Sequence, residues 1–151
     1  MVKAIDIAKY FLFKAYQEDE LITNLKLQKL LYYAQGFHLA IFDTPLFKET
    51  IQSWTHGPVV PEVYHAYKEY DRNPLPSVES INVDGYDPNT LELLDEVYSV
   101  YGQFSASALR NMTHQEPPWM QTPSGTDIDL KLMKDFFKTR LEHGENTAES
   151  S

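Results

Sequence analysis

The chain has 151 residues, of which 42% are hydrophobic and 13% aromatic, and its 22 acidic and 13 basic residues give a formal net charge of −9. This composition argues for one domain with a real core and against a disordered chain. The acidic balance opposes loose binding to nucleic acid, and the absence of cysteine excludes disulfides, thiolate catalysis and cysteine-ligated zinc.

Two helices are predicted in the first part of the chain. The first covers residues 3–17, where apolar side chains recur at helical spacing. The second begins at a cap formed by Thr23 or Asn24 and runs to about Phe42. This second helix is apolar on nearly all sides, which is typical of a helix at the centre of a domain.

The polar residues of the second helix stand out because so little of its surface is polar. Lys26, Lys29 and Tyr33 fall on a common strip, so we expect two lysines to emerge from a largely buried helix. Tyr33 and Gln35 are likewise expected to project from this helix. His38 lies on the apolar stripe and is expected to be a hydrogen-bonded core histidine.

Turns interrupt the middle of the chain. A short extended segment is expected at residues 49–54, and a glycine–proline pair ends it. Pro61 suits the first turn of a third helix, where its missing N–H leaves no bond unmade. Residues 71–88 are rich in Pro, Asn, Asp and Ser and are predicted to form a long loop, with at most a short strand over 80–83.

Three more helices are predicted in the second half. The fourth starts at Asp87 and the fifth is capped by Ser105. The proline pair at 117–118 is expected to prevent the fifth helix from continuing, and the last helix is expected to begin at Asp127.

The predicted fold class is mainly α. We expect a compact single-domain bundle of about six helices around the central hydrophobic helix, with at most a short β element. The domain is expected to cover residues 1–143, and the polar residues 144–151 are expected to form a disordered tail.

The N-terminal stretch indicates neither export nor a membrane anchor. Asp6, Lys9 and Lys14 interrupt its apolar residues, so it lacks the apolar region of a signal peptide. No run approaches the roughly 18 uninterrupted apolar residues of a membrane span. We therefore expect a soluble cytoplasmic protein with no membrane partner.

The chain carries little that would hold a metal or a cofactor. Glu62 and His65 form one Glu-x-x-His, but a carboxylate-bridged metal pair needs a second such motif, which the sequence lacks. The glycine spacing excludes a Walker phosphate loop and a dinucleotide-binding triplet, and no Gly-x-Ser-x-Gly elbow occurs. We expect no metal and no cofactor.

Two segments repeat the same unusual composition. The first Thr-His segment, SWTHGPVVPEVY, covers residues 53–64, and the second, MTHQEPPWM, covers residues 112–120. Their histidines, His56 and His114, could meet in space and perform acid–base chemistry, since the ordinary pKa of histidine is about 6.5.

A scaffold role is the preferred interpretation of these segments. Neither histidine is accompanied by an obvious nucleophile, and each precedes a proline-containing turn. In such places Thr and His side chains commonly satisfy unpaired backbone groups. Trp54 and Trp119 are then expected to pack beside the turns.

Four ordered segments form a pattern more specific than any short catalytic motif: TNLKLQKLLYYAQG at 23–36, PLF at 45–47, the first Thr-His segment, and THQEPPW at 113–119. On these segments the chain resembles the Panacea-domain, SocA-like antitoxins, a family also described as phage-associated. The resemblance covers roughly residues 5–119.

The resemblance implies a mainly helical, non-enzymatic domain that neutralises a toxin by direct protein–protein contact. The toxin is often encoded by an adjacent gene, and often on a prophage. One SocA-like member is described as an adaptor that delivers its toxin to a ClpXP-type protease, so proteolytic delivery is the alternative mechanism. A small enzyme that uses His56 and His114 to reverse a toxin modification is the alternative of a different class.

The candidate toxin-binding or signature residues combine this resemblance with side-chain chemistry. Trp and Tyr are favoured at binding hot spots, and the acidic surface is expected to repel nucleic acid and attract a basic toxin. The candidate residues are Lys26, Lys29, Tyr33, Gln35, Trp54, His56, Tyr64, Thr113, His114 and Trp119.

Overall fold

The computed structural model describes residues 1–150, and the side chains of residues 1–142. Over this part the chain forms seven α-helices and one two-stranded hairpin, so the mainly α prediction is confirmed. The elements are α1 (Ala4–Gln17), α2 (Asn24–Phe42), β1 (Gln52–Trp54), β2 (Gly57–Val59), α3 (Pro61–Tyr67), α4 (Pro88–Tyr101), α5 (Ala106–Thr113), α6 (Pro117–Met120) and α7 (Leu130–Ser150).

Helix α2 lies at the centre of the fold because apolar side chains cover nearly its whole circumference. Five helices, α1, α3, α4, α5 and α7, pack against it together with strand β2. Leu27, Leu30, Leu31 and Ala34 are completely buried. Each leucine contributes about 2 kcal/mol by its burial. The prediction of a central hydrophobic helix is confirmed.

Local sequence fixes both ends of α2. The Thr23 hydroxyl accepts a hydrogen bond from the Lys26 backbone N–H at 3.3 Å, which makes Thr23 the N-cap. At the other end Asp43 adopts a left-handed conformation with a φ of 66°, and the helix stops there. The Asp43 carboxylate also forms an ion pair with Lys134 of α7. The end of α2 is thereby tied to the last helix.

The predicted extended segment is strand β1, but the glycine–proline pair does not end the pairing. Gly57 lies opposite Trp54 in an antiparallel register, so Thr55 and His56 form a two-residue turn. Gly57 has a φ of 117°, which glycine adopts readily and other residues do not. The prediction that the pair breaks the extended structure is wrong, because its first residue opens β2.

Three further boundaries differ from the predictions. The proline pair at 117–118 begins the short helix α6, since proline is tolerated in the first turn of a helix, and this raises the number of helices above six. The last helix begins at Leu130, because Asp127 is instead bridged to Gln52 beside the hairpin. Within the described chain no strand forms over residues 80–83.

The expected division into a domain over 1–143 and a disordered tail over 144–151 stays a prediction. It depends on a stretch whose side chains lie outside the described part of the protein. In the part that is described, no helix combines the length and the apolar character that a membrane crossing requires.

Helices α2 and α7 are in close contact at Gly36. A Cβ atom at this position would lie 2.1 Å from the ring of Phe137, far inside contact distance. The Phe137 ring also meets Tyr32 and Tyr33 edge-to-face, at centroid distances of 5.3 and 5.9 Å. Because these contacts hold the ring in place, packing requires glycine at position 36.

Gly36→Ala is expected to lower the free energy of unfolding by about 2 kcal/mol, because the added methyl group must displace the Phe137 ring from a packed core. Helix propensity alone would predict the opposite, because alanine is favoured over glycine in a helix by roughly 1 kcal/mol. Urea unfolding of the purified variant measures the change.

The double variant Gly36→Ala/Phe137→Leu is the control for this steric explanation. Its loss of stability should be smaller than the sum of the two single losses, because leucine leaves room for the methyl group. Additive losses would contradict the explanation.

Candidate partner-binding site

The polar side chains at the start of α2 hold the hairpin and α3 in place. Gln28 Oε1 accepts the Val60 backbone N–H at 2.9 Å, and Gln28 Nε2 donates to Asn24 Oδ1 at 2.9 Å. The Asn24 side-chain amide in turn donates to the Tyr64 carbonyl oxygen at 3.1 Å. This chain of bonds fixes the junction between β2 and α3, and with it the first Thr-His segment, against the central helix.

Gln35 and His38 hold the loop that follows α2. Gln35 Oε1 accepts the Leu46 backbone N–H at 2.7 Å, while its Nε2 donates to the Phe47 carbonyl oxygen at 2.8 Å. His38 Nδ1 donates to the Thr44 carbonyl oxygen at 2.6 Å, and the side chain is 8% exposed. The prediction of a hydrogen-bonded core histidine is confirmed.

Glu116 joins the second Thr-His segment to α2. The Tyr32 and Tyr33 hydroxyls donate to its two carboxylate oxygens at 2.9 and 2.8 Å, and the residue is 3% exposed. Burial raises the pKa of Glu116, and the two hydroxyls and Arg140 oppose that rise. Glu116 is not among the candidate residues predicted from the sequence. The signal was that it is the only carboxylate of the second Thr-His segment.

The two Thr-His segments lie against each other. The rings of His114 and Trp119 stack at a centroid distance of 3.9 Å and an interplanar angle of 13°. Trp119 Nε1 donates to the Trp54 carbonyl oxygen at 2.7 Å, across the contact between the segments. Thr113 is completely buried, and its hydroxyl donates to the Arg110 carbonyl oxygen at 2.9 Å.

Lys29 is buried beneath this contact. A Cβ atom on Gly57 would lie 2.5 Å from Lys29 Cε and 3.0 Å from Thr113 Oγ1, so the lysine stem passes directly under the hairpin. In the described part of the protein the ammonium group makes one long hydrogen bond, 3.4 Å, to the Leu25 carbonyl oxygen. Desolvation, followed by the charge of Arg110, lowers the pKa of Lys29 to about 7.

The expectation that polar residues project from α2 is wrong for three of the candidates. Lys29, Tyr33 and Gln35 are each at most 1% exposed, because other elements surround the helix. Lys26 is partly accessible, but its ammonium group donates to the Gly102 carbonyl oxygen at 2.6 Å at the end of α4. These four side chains hold the fold together, and the buried three offer a partner no surface in this conformation.

His114 lies among other basic groups. Burial and the charges of Arg110, Lys29 and His56 lower the pKa of His114, and a hydrogen bond with the Thr55 backbone opposes them. Within residues 1–142, His114 Nε2 is buried without a hydrogen-bond partner. We call Lys29, Arg110, His56 and His114 the basic cluster. No carboxylate is among the charged neighbours that shift the pKa of Lys29 or His114.

An open groove of about 370 Å³ lies beside the basic cluster. Its walls include Leu25, Trp54, His56, Val59 and Tyr64, and we call it the Trp54 groove. The Trp54 and Tyr64 rings meet edge-to-face at a centroid distance of 5.1 Å, and Leu25 is 39% exposed. Three of the accessible candidate residues, Trp54, His56 and Tyr64, therefore lie together at this groove, which can receive an apolar side chain.

The site offers little to a metal or to a covalent reaction. Residues 1–142 contain no group of three or more His, Cys, Asp or Glu side chains placed to hold a metal ion. The Thr113 hydroxyl, the one beside His114 in sequence, is buried and already bonded to the backbone. The arrangement is suited to binding through aromatic and cationic groups.

The free energy of unfolding is expected to rise by about 2 kcal/mol between about pH 7 and pH 9 because of Lys29. The unfolded chain keeps the lysine proton up to the ordinary pKa of 10.5, whereas the folded protein releases it near pH 7. The unfolded state therefore binds more protons in this window, and rising pH favours folding. Urea unfolding across the window measures the slope.

Lys29→Met should remove this pH-dependent gain, because methionine has a long apolar side chain and no proton to release. Lys131→Met is the matched control, since Lys131 is 79% exposed on α7 and should leave the gain intact. If the free energy of unfolding of Lys29→Met still rose with pH as in the wild type, the buried-ammonium explanation would be contradicted.

Glu116→Ala is expected to destabilise the protein by about 3 kcal/mol, because two buried tyrosine hydroxyls lose their acceptor. Glu116→Gln keeps one carbonyl oxygen as an acceptor, so its loss of stability should be clearly smaller than that of Glu116→Ala. Thermal unfolding of both variants near neutral pH gives the comparison. Equal stability of Glu116→Ala and the wild type would mean that the hydroxyls find other partners.

Comparison with known proteins places this site in a family. The family model named "Antitoxin SocA-like, Panacea domain" matches residues 27–120 of this chain, from the first turn of α2 to the end of α6. Antitoxin SocA of Caulobacter vibrioides (strain NA1000 / CB15N) is 31% identical over 156 aligned residues, which cover 91% of this chain and 83% of that protein. No solved structure matches the chain at a significant level. The chain belongs to the SocA-like, Panacea-domain family of antitoxins.

Proposed function

We propose that the protein is an antitoxin that neutralises a toxin protein by binding it directly, without catalysis. The observation that carries this proposal is the 31% identity with antitoxin SocA across 91% of the chain. A match of this extent includes the central helix and both Thr-His segments, so the proposal does not depend on a short motif.

The geometry around the two histidines supports a binding role. His114 is stacked on Trp119, and His56 lies in the hairpin turn, where it forms part of the wall of an open groove. A histidine base acts by activating a nucleophile within hydrogen-bond reach. The Thr113 hydroxyl is buried and bonded elsewhere, which argues against the enzymatic alternative.

The Trp54 groove is the proposed contact for the toxin. Trp and Tyr side chains carry much of the binding energy at protein interfaces, especially where water is excluded around them. Trp54 and Tyr64 are half-buried and present ring surface at the groove. We place the interaction in the cytoplasm and take the product of the adjacent gene as the first candidate toxin.

Expression of the adjacent open reading frame alone is expected to arrest growth, and expression together with this protein is expected to restore it. Affinity purification through a tag should then recover the two proteins as a stable complex in fixed proportion. Growth rescue without a complex, or rescue by far fewer molecules than the toxin, would contradict neutralisation by binding.

The lifetime of the toxin separates simple binding from delivery to a protease. Binding alone should leave the toxin half-life unchanged or longer, as measured by quantitative blotting after synthesis is stopped. A half-life that this protein shortens, and that loss of a ClpXP-type protease restores, would replace neutralisation by binding with the adaptor mechanism.

A further inference from the structure

Basic side chains are concentrated beside the Trp54 groove, although the chain as a whole is acidic. The chain carries a formal net charge of −9, yet the basic cluster gathers Lys29, Arg110, His56 and His114 where the two Thr-His segments meet. The three salt bridges formed by described side chains all lie elsewhere, at Lys14, Lys131 and Lys134. Within residues 1–142, no side chain of the cluster therefore forms a salt bridge.

Two members of the cluster are buried and incompletely hydrogen-bonded. The Lys29 ammonium is 1% exposed with one long hydrogen bond, and His114 Nε2 is buried without a partner. Burial and neighbouring basic groups lower the pKa of both Lys29 and His114, and a carboxylate brought to the nearby surface favours their protonated forms. Arg110 on α5 and His56 in the hairpin turn are exposed, and a partner group can reach both directly.

We propose that the Trp54 groove and the basic cluster together bind an acidic segment of the toxin, in which a carboxylate faces Arg110 and a neighbouring apolar side chain enters the groove. This inference rests on the proposed function and adds the chemistry of the partner. It differs from the expectation that the acidic chain attracts a basic toxin, because the accessible aromatic residues lie beside positive charge.

A protein carboxylate fits the site better than a nucleic-acid phosphate. Strong phosphate binding needs several exposed cations in a row, whereas Arg110 and His56 are the only exposed members of the basic cluster. The groove is lined by Leu25, Val59 and aromatic rings, which suit an aliphatic or aromatic side chain. Glu62 is exposed on α3 next to the groove, but it is not among the charges that shift the pKa of Lys29 or His114.

Intrinsic fluorescence reports on this site directly, because Trp54 and Trp119 are the two tryptophans of the chain. The probe is a short acetylated and amidated peptide that alternates aspartate with phenylalanine and leucine, and the matched probe replaces each aspartate with lysine. The acidic peptide should give a saturable fluorescence change that weakens with added salt, and the basic peptide should not. Equal response to both peptides, or an equal response to oligothymidylate, would overturn the proposal.

The toxin itself gives the second test, through charge reversal at two exposed positions. Arg110→Glu should weaken toxin binding roughly tenfold or more, because a partner carboxylate then faces a like charge. Lys131→Glu makes the same change of charge on α7, at a residue that is 79% exposed, and should bind like the wild type. Circular dichroism and thermal unfolding verify that both variants fold.

The pattern of results separates this proposal from the proposed function. If the wild type binds the toxin and the two variants bind equally well, the acidic-segment proposal is wrong while the antitoxin function stands. If the wild type neutralises no toxin but still binds the acidic peptide in an Arg110-dependent way, the antitoxin function fails and the chemistry assigned to the groove is supported.

Discussion

The structure depends on the hydrogen bonding of polar groups buried on α2. A polar group in an apolar core costs free energy unless it is paired, and this helix places Asn24, Gln28, Gln35 and His38 among the surrounding elements. Gln28, Gln35 and His38 bond backbone groups of non-helical segments, and Asn24 bonds the Tyr64 carbonyl oxygen of α3. These side chains are therefore satisfied only when the neighbouring segments are in position. The central helix therefore specifies where the loops lie as well as supplying the core, and the groove follows from that placement.

Much of the fold could be predicted because its signals are local. The N-caps Thr23, Asp87 and Ser105 and the proline at the start of α3 all act over one turn of helix, and the structure has helices where they predict them. Strand β2 was missed because its pairing depends on the turn that Gly57 permits, which only the partner strand reveals. A proline pair can likewise follow the end of one helix or form the first turn of the next, and the packing of α6 decides between these two outcomes.

The site was harder to predict, because burial is a property of the surroundings. Lys29 has the same sequence context whether its ammonium group reaches solvent or stays under the hairpin, and the difference is made by segments far along the chain. The two Thr-His segments lie where the basic cluster meets the Trp54 groove. The two hydrogen-bond partners of Glu116 could not be predicted, because no spacing rule connects it with Tyr32 and Tyr33 across more than eighty residues.

The pairing of loop amides with buried side chains has a consequence for local motion. Loop amides usually exchange their hydrogens with solvent through small local openings. Here the Val60 and Leu46 N–H groups donate to Gln28 and Gln35, and neither bond can open without exposing a polar group in the core. Their hydrogens should therefore exchange as slowly as those in the middle of α2, so that the hairpin junction and the loop after α2 unfold with the core as one cooperative unit.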